Sequence, residues 1–227
     1  MTACISLVMP VHNGARYLSE AIDSALDAGR RPDEIIVVDD ASTDETAAVA
    51  RQFNSVRYLR HERQLGAGLA RHHGIELARG DLLAFLDADD RWRPHRLALQ
   101  ESRLAAEAEL AGVFGMLQQF ISPELDPSQV ADLQVDTSPQ PAWSPCTLLL
   151  RRSAYERAGP FSDQYRVGEF IDWCLRAQEA GCRFDCLPEV VADRRIHLTN
   201  HGRTQRAARQ DYARVVMAAL RRRREIR

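Results

Sequence analysis

The chain has 227 residues, 45% of them hydrophobic and 27% charged, with a formal net charge of −2. That size suffices for one sizeable domain or a domain with an appended region, and the near-neutral balance gives no general pull towards nucleic acid or an anionic membrane. All 30 basic residues are arginine, which excludes lysine chemistry such as a Schiff base or a Walker-type phosphate lysine.

Five scattered cysteines form no Cys-x-x-Cys pair, which argues against a zinc or redox motif and fits a reduced protein. No segment has the roughly 18 consecutive apolar residues of a membrane span, and the N-terminus runs straight into strand-like sequence, so a cytoplasmic location is expected.

In chain order, residues 5–9 read as a buried strand stopped by Pro10, followed by a His12-Asn13-Gly14 turn and an amphipathic helix from Leu18 to about Gly29. A second strand, Glu34 to Val38, ends on Asp39-Asp40. Ser42 and Glu45 have the spacing of a capping box, which predicts a helix to about Phe53. A third strand spans 56–60, a helix runs from Gly66 to about Ala78, and the apolar run 82–86 is a fourth strand delivering Asp87, Asp89 and Asp90. A further helix is expected over 95–109.

Beyond it, strands are predicted over 113–121 and 146–150, separated by a long polar loop, 122–145. A short helix from Ser153, a helix over 169–180, short strands over 184–187 and 190–196, and an amphipathic helix over 204–224 complete the chain. The apolar stripe of that last helix would be Tyr212, Val215, Val216, Ala219 and Leu220.

The alternation of strands and helices predicts an α/β fold: a Rossmann-like, mostly parallel sheet with helices on both faces and a smaller α+β region. The expected division is 1–110, 111–203 and 204–227, the last a helix with a basic tail. The first turn lacks Gly-x-Gly-x-x-Gly, and there is no Gly-x-x-x-x-Gly-Lys, so neither a dinucleotide fingerprint nor a P-loop is present. In such a sheet the turns after strands one, two and four share one edge, gathering His12-Asn13, Asp39-Asp40 and Asp87 to Asp90 in a crevice. Bunched carboxylates suit a ligand with donor groups and a divalent cation, and Arg71 can offer charge to a base carbonyl or phosphate.

The segments Val8 to Gly14, Glu34 to Asp44, Ala70 to Gly74 and Leu86 to Asp90 together resemble the family 2 glycosyltransferases of GT-A fold. The resemblance is strongest over residues 4–97 and resumes at 148–152, 159–161, 168–169, 172–176 and 195–200. It implies transfer of a sugar, with inversion, from a nucleotide-activated donor, usually a UDP-sugar. By position, Pro10, His12, Asn13, Asp39, Asp40, Arg71, Asp87 and Ala88 would line the donor, with His12 against the base, Asp40 accepting from it and Asp87 near the ribose. Asp89, with Asp87, would hold Mg²⁺ or Mn²⁺ on the diphosphate, and His197 on a C-terminal loop would complete that shell or bind phosphate. Arg194, Arg195 and His201 are lesser candidates for the same loop.

Two departures stand out: His72 replaces the family's usual Asn, and Phe170 stands where the family usually has the Asp that accepts the acceptor's proton. Glu169 or Asp172 is then the expected base. Trp143 suits an acceptor sugar ring, whereas Trp92 and Trp173 read as packing residues. The acceptor is open among a saccharide, a lipid-linked group, a peptide or a small molecule, with no nucleic acid expected. The run Arg221 to Arg224 reads either as helix-end charge or as a weak hold on a membrane surface. A nucleotidyltransferase and a nucleotide-sugar-binding protein with degenerate catalysis are the alternatives.

Overall fold

The computed structural model describes residues 3–225 except 28, 127, 129, 131–134, 166 and 201–208. Strand β1 (Ile5–Val11) is buried along its whole length and lies between two parallel partners, β2 (Glu34–Asp39) and β4 (Leu82–Phe85). Strand β3 (Val56–Arg60) extends the sheet beyond β2, again in parallel. The links are α1 (Leu18–Leu26), α2 (Thr46–Ala50) and α3 (Ala67–Leu77). Alternate side chains of β1 serve opposite faces: Ile5, Leu7, Met9 and Val11 join the layer under α1, and Val8 the layer under α3. That two-sided burial is why the strand reads as a continuous apolar run. Pro10 does not end β1 as expected. Pairing with β4 stops at Val8–Phe85, so the missing N–H falls where one neighbour has already left the ladder.

The second half adds β5 (Arg91–Trp92), α4 (Arg96–Ala106), β6 (Leu110–Ile121), β7 (Gln140–Pro141) and β8 (Leu149–Arg151). It continues through α5 (Arg152–Ala158), α6 (Glu169–Glu179), β9 (Arg183–Ile196) and α7 (Arg209–Glu225). The strands form one sheet in the order β3-β2-β1-β4-β8-β6-β9-β5, with β7 on the side of β6. Only β5, β7 and β8 run antiparallel to their neighbours. The expected boundary at 110/111 therefore falls at the start of β6, within a sheet common to both halves. Helices α1 and α4 cover one face; α3, α5 and α6 cover the other.

Four local expectations change. Ser42 caps no helix: its hydroxyl accepts from Asn13 N (2.9 Å), and α2 starts only at Thr46, whose N–H goes to Asp44 Oδ1 (3.0 Å). Residues 145–147 form a 3₁₀ turn before β8. The two strands expected over 184–196 are one, β9, whose register against β6 slips around Pro188, where an advance of four residues (Cys186 to Val190) is matched by an advance of two (Phe114 to Met116). A bulge there tolerates the proline. The last helix is described from Arg209, its expected start at 204–208 lying outside the described residues, and only Val215 and Ala219 of its stripe are buried.

Candidate functional site

The carboxyl ends of β1, β2 and β4 meet at one edge, as the strand order dictates. Near the end of β1, Pro10 is buried, and just past the strand His12 and Asn13 are exposed. Asn13 has φ +52°, a left-handed conformation that Asn tolerates, and its side chain accepts from Thr43 N (2.8 Å). His12 Nδ1 donates to the Asp40 carbonyl (2.8 Å), which leaves Nε2 as an acceptor facing Asn13 Nδ2 (3.3 Å).

The two aspartates after β2 do different work. Asp39 is fully buried; it accepts from Ser42 N (2.7 Å) and from the Tyr58 hydroxyl, and so braces the turn from beneath. Burial first, and the Asp39 hydrogen bond second, push the Tyr58 phenol up to about 12. Asp40 is also buried: Oδ1 receives Leu65 N (2.7 Å) and pairs with His61 Nδ1 (2.8 Å), while Oδ2 receives Gly66 N (2.7 Å). Asp40 thereby pins the loop that opens α3, and His61 Nε2 passes the chain on to His73 Nδ1 (2.9 Å). Of the four acceptor directions of that carboxylate, one on Oδ2 is left.

Helix α3 carries the central cation. Arg71 is buried; Nη1 donates to Glu169 Oε1 (3.0 Å) and Nη2 to Asp87 Oδ1 (2.6 Å), while Nε has no partner. Burial opposes the guanidinium charge, but Asp87 and Glu169 together outweigh it and hold its pKa above the ordinary value. Gly68, one turn earlier, is what lets α6 approach: a Cβ there would sit 2.8 Å from Glu169 Cγ. His72, the departure from the family's Asn, faces α5 and meets the Tyr155 hydroxyl (3.0 Å).

After β4 the chain turns through Asp87, Ala88 and Asp89 to Asp90, closed by Asp90 N on Asp87 O (3.1 Å). Ala88 is buried, while Asp87 and Asp89 are part-exposed. Asp90 is sealed and accepts from Arg195 N (3.0 Å); burial, then Asp89 and Asp87, push its carboxyl well above the usual carboxylate range. Asp89 Oδ2 faces His197 Nε2 (2.9 Å) and Asn200 Nδ2 (3.4 Å), and His197 Nδ1 meets Thr199 Oγ1 (2.9 Å).

Arg195 carries more of this corner than its sequence suggests. Buried, it donates to the Asp89 carbonyl (3.0 Å), to Ser122 Oγ (3.2 Å) and to Glu20, and its guanidinium lies over Tyr17. Tyr17 in turn meets the His197 ring at 5.0 Å and donates to Glu124. Its neighbour Arg194 is exposed, and His201 lies outside the described residues.

The two base candidates separate clearly. Glu169 opens α6 and is joined to Arg71 and, through it, to Asp87. Asp172, nearly one turn further along α6, is buried, with Oδ2 on Arg176 Nε (2.8 Å) and Oδ1 on Arg222 Nη1 (3.4 Å). Phe170 is a core residue among Phe114, Phe161 and Trp173. Trp92 and Trp173 are buried as expected, whereas Trp143 is exposed and stacks on Phe114 (4.8 Å).

Among the described residues, no group of three or more His, Cys, Asp or Glu side chains converges as a ready metal centre. At the part-exposed end of this edge, Asp89 and His197 set an oxygen and a nitrogen donor against one another (2.9 Å). That donor set fits a divalent cation only if the remaining positions come from a ligand such as a diphosphate and from water.

An open α/β sheet with acidic loops at its carboxyl edge has the layout in which such sheets bind ligands. Residues 6–156 match the family model for glycosyl transferase family 2, and the chain belongs to that family. It is 27% identical over 200 residues to the glycosyltransferase AglE of Haloferax volcanii, covering 82% of this chain and 65% of AglE. It is 37% identical over 94 residues to the glycosyltransferase GlyG of Streptococcus pneumoniae, covering 40% of this chain and 31% of GlyG. The chain thus spans less than two thirds of the length of these relatives. Among solved structures, it superposes on Staphylococcus aureus TarS 1–349 in complex with UDP-GlcNAc with a TM-score of 0.76, at 18% identity, over 95% of this chain and 65% of that one. The expected GT-A-type fold is borne out by that likeness.

Proposed function

We propose that this protein transfers a sugar from a nucleotide-activated donor, a UDP-sugar, to an acceptor hydroxyl with inversion at the anomeric carbon. The observation that carries the reading is the placement of Glu169 and Asp87 on the two arms of buried Arg71, beside the Asp89–His197 pair. Family membership and the likeness to TarS, solved with UDP and with UDP-GlcNAc, support a nucleotide-sugar donor.

His12 and Asn13 offer a face and polar edge for the base, above Asp40, which keeps one acceptor direction for a base N–H. Asp87 is open enough to meet a ribose hydroxyl. Asp89 and His197 would hold Mg²⁺ or Mn²⁺, which when bound supplies charge neutralisation for the departing diphosphate. Arg71 is the switch in this scheme. A diphosphate or base oxygen competing for its guanidinium loosens the grip on Glu169, whose freed carboxylate takes the acceptor's proton opposite the leaving group. Asp172 fixes α6 to α7 and takes no part in the proton step.

Incubating the protein with a panel of UDP-sugars and Mn²⁺, with and without Glu169→Gln, tests this. Turnover of one donor that falls at least a hundredfold in the variant, with UDP affinity retained, is expected. A second reading, a nucleotide-sugar-binding protein with degenerate catalysis, is favoured by Phe170 in place of the usual Asp. Binding without turnover across the panel would establish it instead.

A further inference from the structure

Helix α7 offers a surface that donor binding and transfer leave unused. Val215 and Ala219 are buried on its inner side, towards α6, and Arg222 reaches back to Asp172 and Glu179. The adjoining stripe is apolar and uncovered: Tyr212 is 43% exposed, Val216 51%, Met217 52% and Leu220 46%. Steps of four residues keep 212, 216 and 220 in line along the helix.

Arginines border that stripe. Arg221 and Arg224 are exposed and form no ion pair among the described residues, and Arg223 reaches Glu179 only at 3.7 Å. Arg214, also exposed, lies over the Tyr165 ring and pairs with Asp211 (2.9 Å). Asp211 is itself buried, and no other acid is among the described side chains of α7. An apolar stripe edged with arginine, with no exposed carboxylate among the described side chains of the helix, complements a phospholipid headgroup layer: the apolar side chains sink to the acyl boundary and the guanidinium groups meet phosphate. The described side chains of a second copy of this helix offer these arginines no exposed carboxylate, so the charge pattern favours the bilayer. Among the described residues no helix is long and apolar enough to cross a membrane, so the contact would be peripheral.

The stripe also has a position. Tyr212 packs on Gly168, where an added Cβ would lie 3.2 Å from its ring, and Gly168 caps α6 immediately before Glu169. The uncovered face therefore begins beside the candidate base. We propose that α7 docks the protein on an anionic lipid surface, and that the hydroxyl presented to Glu169 belongs to an acceptor anchored in that surface. The acceptor part rests on the glycosyl-transfer reading above; the docking part stands without it.

The test is co-sedimentation of the whole chain with vesicles of phosphatidylcholine alone or mixed with phosphatidylglycerol. Binding to the anionic vesicles only is expected. Arg221→Gln, Arg223→Gln and Arg224→Gln together should weaken it roughly 100-fold, each surface arginine being worth about fivefold. Val216→Ser with Leu220→Ser should weaken it as well. Both sets of changes lie outside the core and the donor site, so unchanged circular dichroism and UDP binding show that the fold survives. Equal binding to neutral vesicles, no binding to anionic ones, or a dimer that Val216→Ser with Leu220→Ser dissolves would each overturn the docking.

For the acceptor, label from a UDP-sugar should enter the organic-extractable fraction of vesicles made from a total polar lipid extract. It should do so less with the arginine variant, while donor hydrolysis is equal in the two proteins. Label appearing only in water-soluble products overturns the lipid acceptor. Absence of any donor hydrolysis in the unmodified protein overturns the transfer reading instead.

Discussion

Replacing Glu169 by Gln separates the two tasks of that side chain. In the structure Glu169 Oε1 accepts from Arg71 Nη1 at 3.0 Å, while Asp87 holds Nη2 at 2.6 Å. The amide keeps an acceptor for Nη1, and Asp87 still compensates the buried charge. The structural loss is the difference between a charged and a neutral hydrogen bond, about 1 kcal/mol of stability. Glu169→Ala leaves one arm of a buried guanidinium bare, beside an Nε that already lacks a partner, and should cost about 3 kcal/mol. Catalysis should respond differently: either change removes the proton acceptor, lowering turnover by about 10²–10⁴-fold. The assay pairs initial rates of UDP release with thermal unfolding of each variant. Turnover of Glu169→Gln within a few-fold of the parent would refute the assignment of the base. So would an Asp172→Asn protein of normal stability with no activity.

Gly68→Ala places a methyl group 2.8 Å from Glu169 Cγ, which should force α3 and α6 apart. A stability loss of about 1–3 kcal/mol, seen in urea unfolding, should come with reduced turnover. Arg96 is buried, has no carboxylate partner among the described residues, and donates to the Cys146 and Leu148 carbonyls and to Gln100. Burial holds its pKa down to about 9. Arg96→Ala should leave those carbonyls unsatisfied and cost about 3–5 kcal/mol in the same experiment. Tyr58 keeps its proton in the folded protein up to about 12, against 10.0 when free. Its contribution to stability is therefore complete below pH 10 and is lost as pH rises through about 12. Tyr58→Phe should flatten the alkaline fall in unfolding free energy over that window and remove one tyrosinate transition near pH 12; an unchanged alkaline fall would contradict the Tyr58–Asp39 bond.

Strands β1, β2 and β4 and their acidic ends were legible because each is a contiguous run: the apolar stretch sets the strand, and the strand order brings the ends together. What the sequence concealed is long-range. Nothing local marks Arg195 as the residue that reaches Glu20, Ser122 and the Asp89 carbonyl at once, although Asp90 as a buried acid could have prompted a search for a donor on a distant strand. The Asp40–His61–His73 chain is hidden for the same reason, its members lying on three different segments. Ser42 misled through a local rule: its hydroxyl was claimed by Asn13, an interaction 29 residues away in sequence that outcompeted the helix cap. The break expected between 187 and 190 closes in the same way, since a bulge around Pro188 lets one strand run through.

Phe170 looks like the loss of a catalytic residue, yet its surroundings argue that α6 cannot place a carboxylate there. The inward stripe of this helix is Phe170, Trp173, Cys174 and Ala177, at helical spacing, and the ring of Phe170 lies within 6.3 Å of those of Phe114, Phe161 and Trp173. With 170 committed to the core, its two acidic neighbours lie on one flank of the stripe, three residues apart, and meet different partners. Position 172 is closed by Arg176 and by Arg222 from α7, while position 169 is drawn onto Arg71 through the gap left by Gly68. An acid at 170 would be an unpaired charge among aromatic rings, at a cost of several kcal/mol. The same packing that excludes the usual position therefore delivers Glu169 to the edge where Asp87 and Asp89 already stand.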